Sequence, residues 1–300
     1  MQEFNPEPGK PEALGGGIRR ILAPNPSAMT FRGTNTYLLG RRDVAVIDPG
    51  PDDPAHLAAI LTSVGPEARI THIFVTHAHR DHSPLARTLS AQTGAEILAF
   101  GPATAGRSAL MTELAKAGLA DGGEGIDAAF SPDRNLEDGA HVTGDDWQID
   151  ALWTPGHLGN HMCFRAGDAI FTGDLVMGWA SSLVSPPDGD LSDFMASCRR
   201  LRGLGPSVFH AGHGPPIPEP DARLDALIAH REAREAAIVA ALADGPATAT
   251  DLTRRIYTDT PQRLMPAATR NVLAHLIDLY GKKRAAPLGN LTAESRFGLL

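Results

Sequence analysis

The chain has 300 residues, of which 42% are hydrophobic and 21% charged, so it can bury a real core and is not a disordered chain. Its 27 Lys and Arg stand against 35 Asp and Glu, a net charge of −8, which argues against non-specific coating of nucleic acid but not against a local basic patch. Aromatic residues at 5% are too few for a base-stacking platform. Two cysteines, Cys163 and Cys198, are too few for a disulfide framework or a thiolate zinc ribbon and are expected as small buried apolar side chains.

Residues 1–17 are rich in Pro and Gly and read as a loose lead-in, with Glu and Pro where an export signal carries basic and then apolar residues. The longest apolar run, 236–243, is much shorter than a membrane span, so a cytoplasmic location is expected. Short strands are predicted at 18–23, 36–39 and 44–47, the last two joined through 40–43. A helix at 53–61 carries Leu57, Ile60 and Leu61 at helical spacing and stops before Gly65-Pro66. The apolar stretch 70–75 reads as a buried strand. Ser83 is the expected N-cap of the next helix, with Pro84 at its first position, Leu85 and Leu89 on its buried face and Gly94 at its end. A helix is predicted at 109–117, an acidic Gly-rich loop at 121–140, strands at 147–153, 162–165 and 169–172, a helix at 191–204 and a short strand at 208–209. Alternating strands and helices with polar motifs at strand ends define an α/β protein.

After the Pro-rich stretch 215–220 the pattern changes. Leu224, Leu227, Ile228, Ile238, Val239 and Leu242 mark a long amphipathic helix that Gly245-Pro246 ends. Thr248 caps a short helix through Tyr257, and Leu273, Leu276, Ile277 and Tyr280 mark a third before a weakly patterned tail. The organisation expected is a lead-in at 1–17, a larger α/β domain at 18–220 and a small helical unit at 221–300.

Three histidines and an aspartate, His77, His79, Asp81 and His82, fall within six residues directly after the predicted strand 70–75. Residues two apart in an extended chain share a side, so His77 and His79 can grip one ion while Asp81 and His82 face a neighbouring position. Imidazole and carboxylate are ligands that Zn2+, Mn2+ and Fe accept. One histidine there would be an ordinary surface residue; this density is not. His157 in Thr154-Pro155-Gly156-His157, Asp174 in Thr172-Gly173-Asp174 and His213 in Gly212-His213-Gly214-Pro215 each follow a predicted strand beside glycine. Each alone reads as a turn residue, but together they point to an open two-metal site rather than a closed structural ion. His56, His72, His141, His230 and His275 have no partner in sequence and are assigned surface or hydrogen-bonded roles, and Thr76 and Thr154 are read as backbone braces.

These motifs, with Asn35-Thr36-Tyr37-Leu38 and Val46-Ile47-Asp48-Pro49-Gly50, resemble the metallo-β-lactamase-fold superfamily over about residues 18–218. The resemblance implies an αββα sandwich with the metals at one edge of two packed sheets. It implies His77, His79 and His157 on one zinc, Asp81, His82 and His213 on the other, and Asp174 bridging, with Mn or Fe as alternative metals. It also implies that Asp48 braces the site. His161, four residues after His157, would line the pocket, support a ligand or serve a purely structural role, and His210, three residues before His213, is read as supporting a ligand or as core rather than as a ligand. Within the superfamily the chain resembles most the beta-lactamase-like protein 2 family, whose small winged-helix-like C-terminal domain is similar to 228–235, 251–257 and 271–276 here.

Two metals with a bridging hydroxide would attack a carbonyl carbon or a phosphorus atom, because a metal lowers the pKa of bound water to about 7. Asp81, among the ligands, is the candidate catalytic residue to orient the nucleophile and carry its proton. True β-lactamases of this superfamily lack the bridging aspartate or use a cysteine ligand, and glyoxalase II carries an aromatic where Gly214-Pro215-Pro216 stands here. Only 38 residues separate Asp174 from His213, too few for the insert of the long metal-dependent RNases. The expectation is a dinuclear zinc hydrolase of a small carbonyl ester or thioester. The alternative is a single-strand endoribonuclease, as animal members of the family resemble, with Arg254, Arg255, Arg270, Lys282, Lys283 and Arg284 as phosphate contacts. Residues 221–300 hold 11 Lys and Arg against 9 Asp and Glu, a weak basic excess for that role. A non-enzymatic, metal-stabilised interaction protein would be expected to have lost ligands. The expected partner is thus a small-molecule substrate, with RNA as the alternative and no membrane. The C-terminal unit would wall the site or form a homodimer.

Overall fold

Two sheets lie face to face because each presents an apolar side that needs the other for cover. The computed structural model describes residues 4–119 and 125–300. The first sheet runs in spatial order through β1 (Glu12–Gly15), β2 (Ile18–Leu22), β3 (Asn35–Leu39), β4 (Asp43–Ile47), β5 (Arg69–Phe74), β6 (Glu96–Ala99) and β7 (Arg134–Asn135). Strands β1 to β4 are antiparallel. Helices α1 (Pro54–Val64) and α2 (Leu85–Thr93) are the crossovers that make β4, β5 and β6 parallel, and α3 (Ala109–Lys116) lies between β6 and β7. The second sheet contains β8 (His141–Thr143), β9 (Gln148–Trp153), β10 (Met162–Ala166), β11 (Ala169–Gly173) and β12 (Val208–Ala211). The first four form a meander, and α4 (Leu191–Leu201) carries the chain to β12, parallel to β11.

Tyr37, Ile47, Phe74 and Leu98 of the first sheet pack against Ile149, Met162, Phe164 and Phe171 of the second. Each fully buried phenylalanine contributes about 1.5–3 kcal/mol. Ile60, Leu85 and Leu89 cover the outer face of the first sheet, and Phe194, Cys198 and Leu201 cover that of the second, where Cys163 is also buried. The layers are therefore helix, sheet, sheet, helix.

Helix α1 starts where its sequence signals it: Asp53 accepts the His56 backbone N–H at 2.7 Å and Pro54 opens the first turn. Helix α2 starts one residue later than the reading that made Ser83 its N-cap, with Pro84 in the cap position. The Ser83 hydroxyl instead lies 2.9 Å from Asp127 Oδ2 and 3.1 Å from the His79 carbonyl, tying the histidine-rich turn to a neighbouring loop. Strands β1 and β7 fall in stretches read as lead-in and loop, because neither has an alternating apolar face. Residues 121–124 of the acidic loop lie outside the described residues.

Pro220 opens α5 (Pro220–Leu242), and β13 (Ala247–Thr248) leads into α6 (Ala249–Ile256) through a capping box of Thr248 and Asp251. A 3-10 turn at Gln262–Leu264 precedes α7 (Met265–Gly281). The weakly patterned tail forms β14 (Ala285–Pro287) and β15 (Arg296–Leu299), which complete a three-stranded sheet in the order β13-β15-β14. The unit is thus helices with a small sheet rather than helices alone. It shares its core with the rest of the chain: Leu252, Val272, Leu276 and Phe297 pack with Met111 and Leu114 of α3, and Leu224 and Ala274 join the α4 cluster. No helix among the described residues is long and apolar enough to cross a membrane.

Candidate metal centre

Strands β4, β5, β9, β11 and β12 end at one edge of the sandwich, and the chain beyond each supplies a polar side chain there: Asp48, the 76–82 turn, His157, Asp174 and His213. His77, His79, His157 and Asp174 offer ligand atoms within 4.8 Å of one another, and so do Asp81, His82 and His213. Asp174 reaches both groups. Its Oδ2 lies 3.7 Å from His157 Nε2 and 3.4 Å from His213 Nε2, and its Oδ1 lies 3.5 Å from His82 Nε2. Asp81 Oδ2 sits 3.2 Å from His213 Nε2 and 3.5 Å from His82 Nε2.

The outward nitrogens set which way the lone pairs point. His77 Nδ1 donates to Thr76 Oγ1 (2.9 Å), His157 Nδ1 to the Leu183 carbonyl (2.7 Å), His82 Nδ1 to Asp48 Oδ2 (2.9 Å) and His213 Nδ1 to the Gly33 carbonyl (3.1 Å). With Nδ1 committed to these acceptors, each ring turns its Nε2 inward, where a metal ion can take the place of a proton. His77 Nε2 and His157 Nε2 then both face His79 Nδ1, at 3.0 and 3.1 Å, and His82 Nε2 faces His213 Nε2 at 3.4 Å. Ring nitrogens crowded this closely around two carboxylates form a site for a cation. The donor set of imidazole and carboxylate fits a divalent transition metal.

Glycine keeps this space open. A Cβ on Gly212 would lie 2.6 Å from Asp174 Oδ1 and 2.7 Å from His82 Cε1. Gly173 has φ +46°, and a Cβ there would meet His161 Nε2 and Thr76 Oγ1 at 2.7 Å.

The electrostatics carry the same demand. Burial and then the neighbouring imidazoles hold His77 well below its ordinary pKa, and burial with His157 beside it lowers His79 to about 3. Burial also lowers His157. Burial opposes charge on His82 too, but Asp81, Asp174 and Asp48 outweigh it and raise its pKa to about 9. His213 is raised well above normal in the same way, by Asp174 and Asp81 against its burial. Asp174, despite burial, is held well below the carboxylate range by His213 and His82. One half of the centre thus keeps its imidazoles neutral and the other draws positive charge to its carboxylates, as a cation site requires.

Asp48 braces the centre. It accepts from the Thr76 backbone N–H (2.7 Å), Thr76 Oγ1 (2.8 Å) and His82. Thr76 and Thr154 brace side chains rather than backbone alone, since Thr154 Oγ1 bonds His161 Nδ1 at 3.1 Å. His161 is buried beside His77, and its Nε2 has no partner among the described residues. His210 packs between Tyr37 and Phe171 in the core, outside both ligand groups. Of the five remaining histidines, His56 is buried against Thr36 Oγ1 at 2.8 Å, while His275 is buried with neither ring nitrogen hydrogen-bonded among the described residues.

Of the six basic residues named as phosphate contacts, three are engaged by protein groups. Lys282 and Arg284 both bind Glu235, and Lys282 also binds Asp278. Arg270 donates to Ser185 Oγ and to the Pro186 carbonyl. Arg254, Arg255 and Lys283 are exposed.

Sequence reasoning missed a clamp from the C-terminal unit. Arg231 of α5 is fully buried, and it donates to the Ser182 carbonyl and to Asn271 Oδ1 (2.9 Å). Asn271 Oδ1 also accepts the Val184 N–H at 3.0 Å. The two side chains therefore grip both residues flanking Leu183, whose carbonyl orients His157. Burial lowers the Arg231 pKa to about 10, which leaves it charged at neutral pH. No spacing signal marks such a contact, because its partners are backbone groups.

The fold and site define a metal-dependent hydrolase of the αββα class. The model of the metallo-beta-lactamase superfamily matches residues 29–213, and that of the beta-lactamase associated winged helix domain matches 248–286. The chain belongs to the metallo-beta-lactamase superfamily. It is similar to the beta-lactamase-like protein 2 homolog of Drosophila melanogaster, with 30% identity over 91% of each chain. It is also similar to a metallo-beta-lactamase family protein from Thermus thermophilus, at 26% identity and a TM-score of 0.75 over 96% of this chain and 100% of that one. A further solved structure, described as a di-iron-bound form, is 28% identical with a TM-score of 0.50 over 66% of this chain and 96% of that one.

Proposed function

We propose that the protein is a dinuclear zinc hydrolase acting on small carbonyl esters or thioesters. The observation that carries this reading is the convergence of inward-facing ring nitrogens on two carboxylates, with Asp174 reaching both ligand groups. Two such ions, when bound, supply a nucleophile at neutral pH and positive charge opposite the developing oxyanion. The side chains do the rest. His77, His79 and His157 would hold one ion, Asp81, His82 and His213 the other, and Asp174, which reaches both groups, would set the spacing between them. Asp81 is the most open of the seven, with its side chain 27% exposed, so it is the one placed to orient water and carry a proton away.

Beside His79 and His157 lies a small pocket that shares Ile126 and Asp188 with a cleft of about 510 Å3 lined by Arg80 and Arg107. A cleft of this size suits a small substrate. The engagement of Lys282, Arg284 and Arg270 by protein acceptors weighs against a continuous phosphate track, and so against RNA. The test is metal analysis with parallel assays on a thioester, a lactone, a phosphodiester and single-stranded RNA. Two ions per chain and carbonyl hydrolysis are expected, with Asp174→Ala lowering turnover by at least about 100-fold, since a bridging carboxylate compensates two close cations. Iron in place of zinc would change the metal and not the ligands. RNA cleavage without carbonyl hydrolysis would overturn the substrate reading.

A further inference from the structure

An apolar pocket of about 190 Å3 lies in the seam between the catalytic and C-terminal units. Met29, Met177, Trp179 and Leu183 wall it on one side, and Leu264 and Ala267 on the other. Leu183 also lines the small pocket that holds His79 and His157, so the seam pocket adjoins the metal centre. We infer that this pocket is the subsite for an apolar acyl chain of the substrate, which makes the preferred substrate a medium-chain acyl ester or thioester. The inference rests on the carbonyl reading above.

Size, polarity and position each favour that occupant. The volume holds about six groups of water or methylene size. A cationic ligand is disfavoured, because Arg231 lines the pocket and two buried N–H groups on lining residues, Trp179 Nε1 and Arg231 Nε, have no acceptor among the described residues. An anion would find only those two donors, because the terminal nitrogens of Arg231 are already engaged by the Ser182 carbonyl and Asn271 and the rest of the named wall is apolar. Burial lowers the pKa of His230, on the same wall, so it offers no competing charge at neutral pH. Met29 stands at the rim, 46% exposed, and the unbranched thioethers of Met29 and Met177 can adapt to chains of different shape. A chain seated here would lie against Leu183, the residue that the seam pocket shares with the small pocket at His79 and His157 and whose carbonyl orients His157.

The experiment uses the full-length metal-loaded protein and N-acetylcysteamine thioesters from acetyl to decanoyl. The expected result is a rise in kcat/KM of about fourfold per methylene up to about six carbons, then a plateau. Ala267→Phe, which fills the pocket from a half-buried position on α7, should bring the hexanoyl-to-acetyl ratio close to one. Should that variant fail to fold, Leu264→Ala enlarges the pocket and should move the plateau to longer chains. Calorimetry with hexanamide and acetamide reads the site without turnover, and hexanamide should bind more tightly in the wild type but not in Ala267→Phe. Thioester hydrolysis with no dependence on chain length, and equal binding of both amides, would overturn the pocket and leave the carbonyl reading intact. No carbonyl hydrolysis, with chain-dependent amide binding that Ala267→Phe removes, would overturn the carbonyl reading and keep the apolar site.

Discussion

Asp48 shows how one buried carboxylate organises several side chains around it. It accepts from Thr76 and His82, and Thr76 in turn accepts from His77, so both halves of the centre depend on it. Its backbone at φ 50° places it beside the turn rather than along β4. Replacing it with Asn puts an N–H donor where His82 Nδ1–H or Thr76 Oγ1–H needs an acceptor. Asp48→Asn is therefore expected to weaken metal binding about 10–100-fold, read by competition with a chelator. Unchanged affinity would show that His77 and His82 hold their orientation without it. The side chains of the centre were legible in sequence because four of them crowd into 77–82 and the other three stand beside glycine after predicted strands. The Leu183 and Gly33 carbonyls that fix two of the imidazoles were not, because a backbone acceptor has no residue signature.

At the scale of elements, propensity and capping located most of the strands and helices but missed β1, β6, β7 and β8. Ser83 carries a strong cap signal, yet tertiary contacts with Asp127 and His79 use its hydroxyl and delay α2 by a residue. Strand β15 has a buried Phe297 but no alternating run, so its pairing with β13 and β14 depends on what α5, α6 and α7 leave uncovered. The clamp of α5 and α7 on the 182–184 segment is an element-scale contact with a chemical consequence. Asn271→Ala removes the acceptor for Val184 N–H and Arg231, freeing the peptide that orients His157. On the proposed two-ion reading, the expected outcome is about tenfold weaker binding of the ion that His157 would hold, with the other retained. Asn271→Asp, which keeps the acceptor oxygen, should restore most of it. Equal loss of both ions, or no rescue, would mean that the clamp only stabilises the fold.

The whole molecule buries more histidine than its metal centre needs, and this sets its acid sensitivity. Burial lowers His56 to a pKa of about 4, and burial with Arg231 and Lys282 nearby lowers His275 to about 3. Both titrate near 6.5 in the unfolded chain. Below that value the unfolded state takes up protons that the folded state refuses. Stability is therefore full above pH 6.5 and falls as the pH drops toward 4. His275→Leu removes a buried ring whose nitrogens are unbonded among the described residues. It should flatten the fall in melting temperature between pH 7 and pH 5 without lowering the melting temperature at pH 7.5. An unchanged slope would place the acid sensitivity elsewhere. This role was invisible in sequence, where His275 is simply a polar residue on an apolar helix. Its burial comes from the packing of α7 between two hydrophobic clusters.

Local chemistry is what the sequence determined by itself. The alternation of strands and helices, the Asp53 cap, the density of ligand-type residues at strand ends and the glycines beside them all follow from short-range rules. Those rules act over a few residues, so a single chain displays them openly. Only the tertiary structure decided which ring nitrogens face inward, which carbonyls hold them there, and which basic residues are engaged by acids of their own. It also decided that the C-terminal unit grips the peptide behind His157 and closes an apolar pocket beside it. These depend on contacts between residues as far apart as Gly33 and His213 or Ser182 and Arg231. Their free energy comes from burial and hydrogen bonding that exist only once the layers have packed, which is why no window of the sequence contains them.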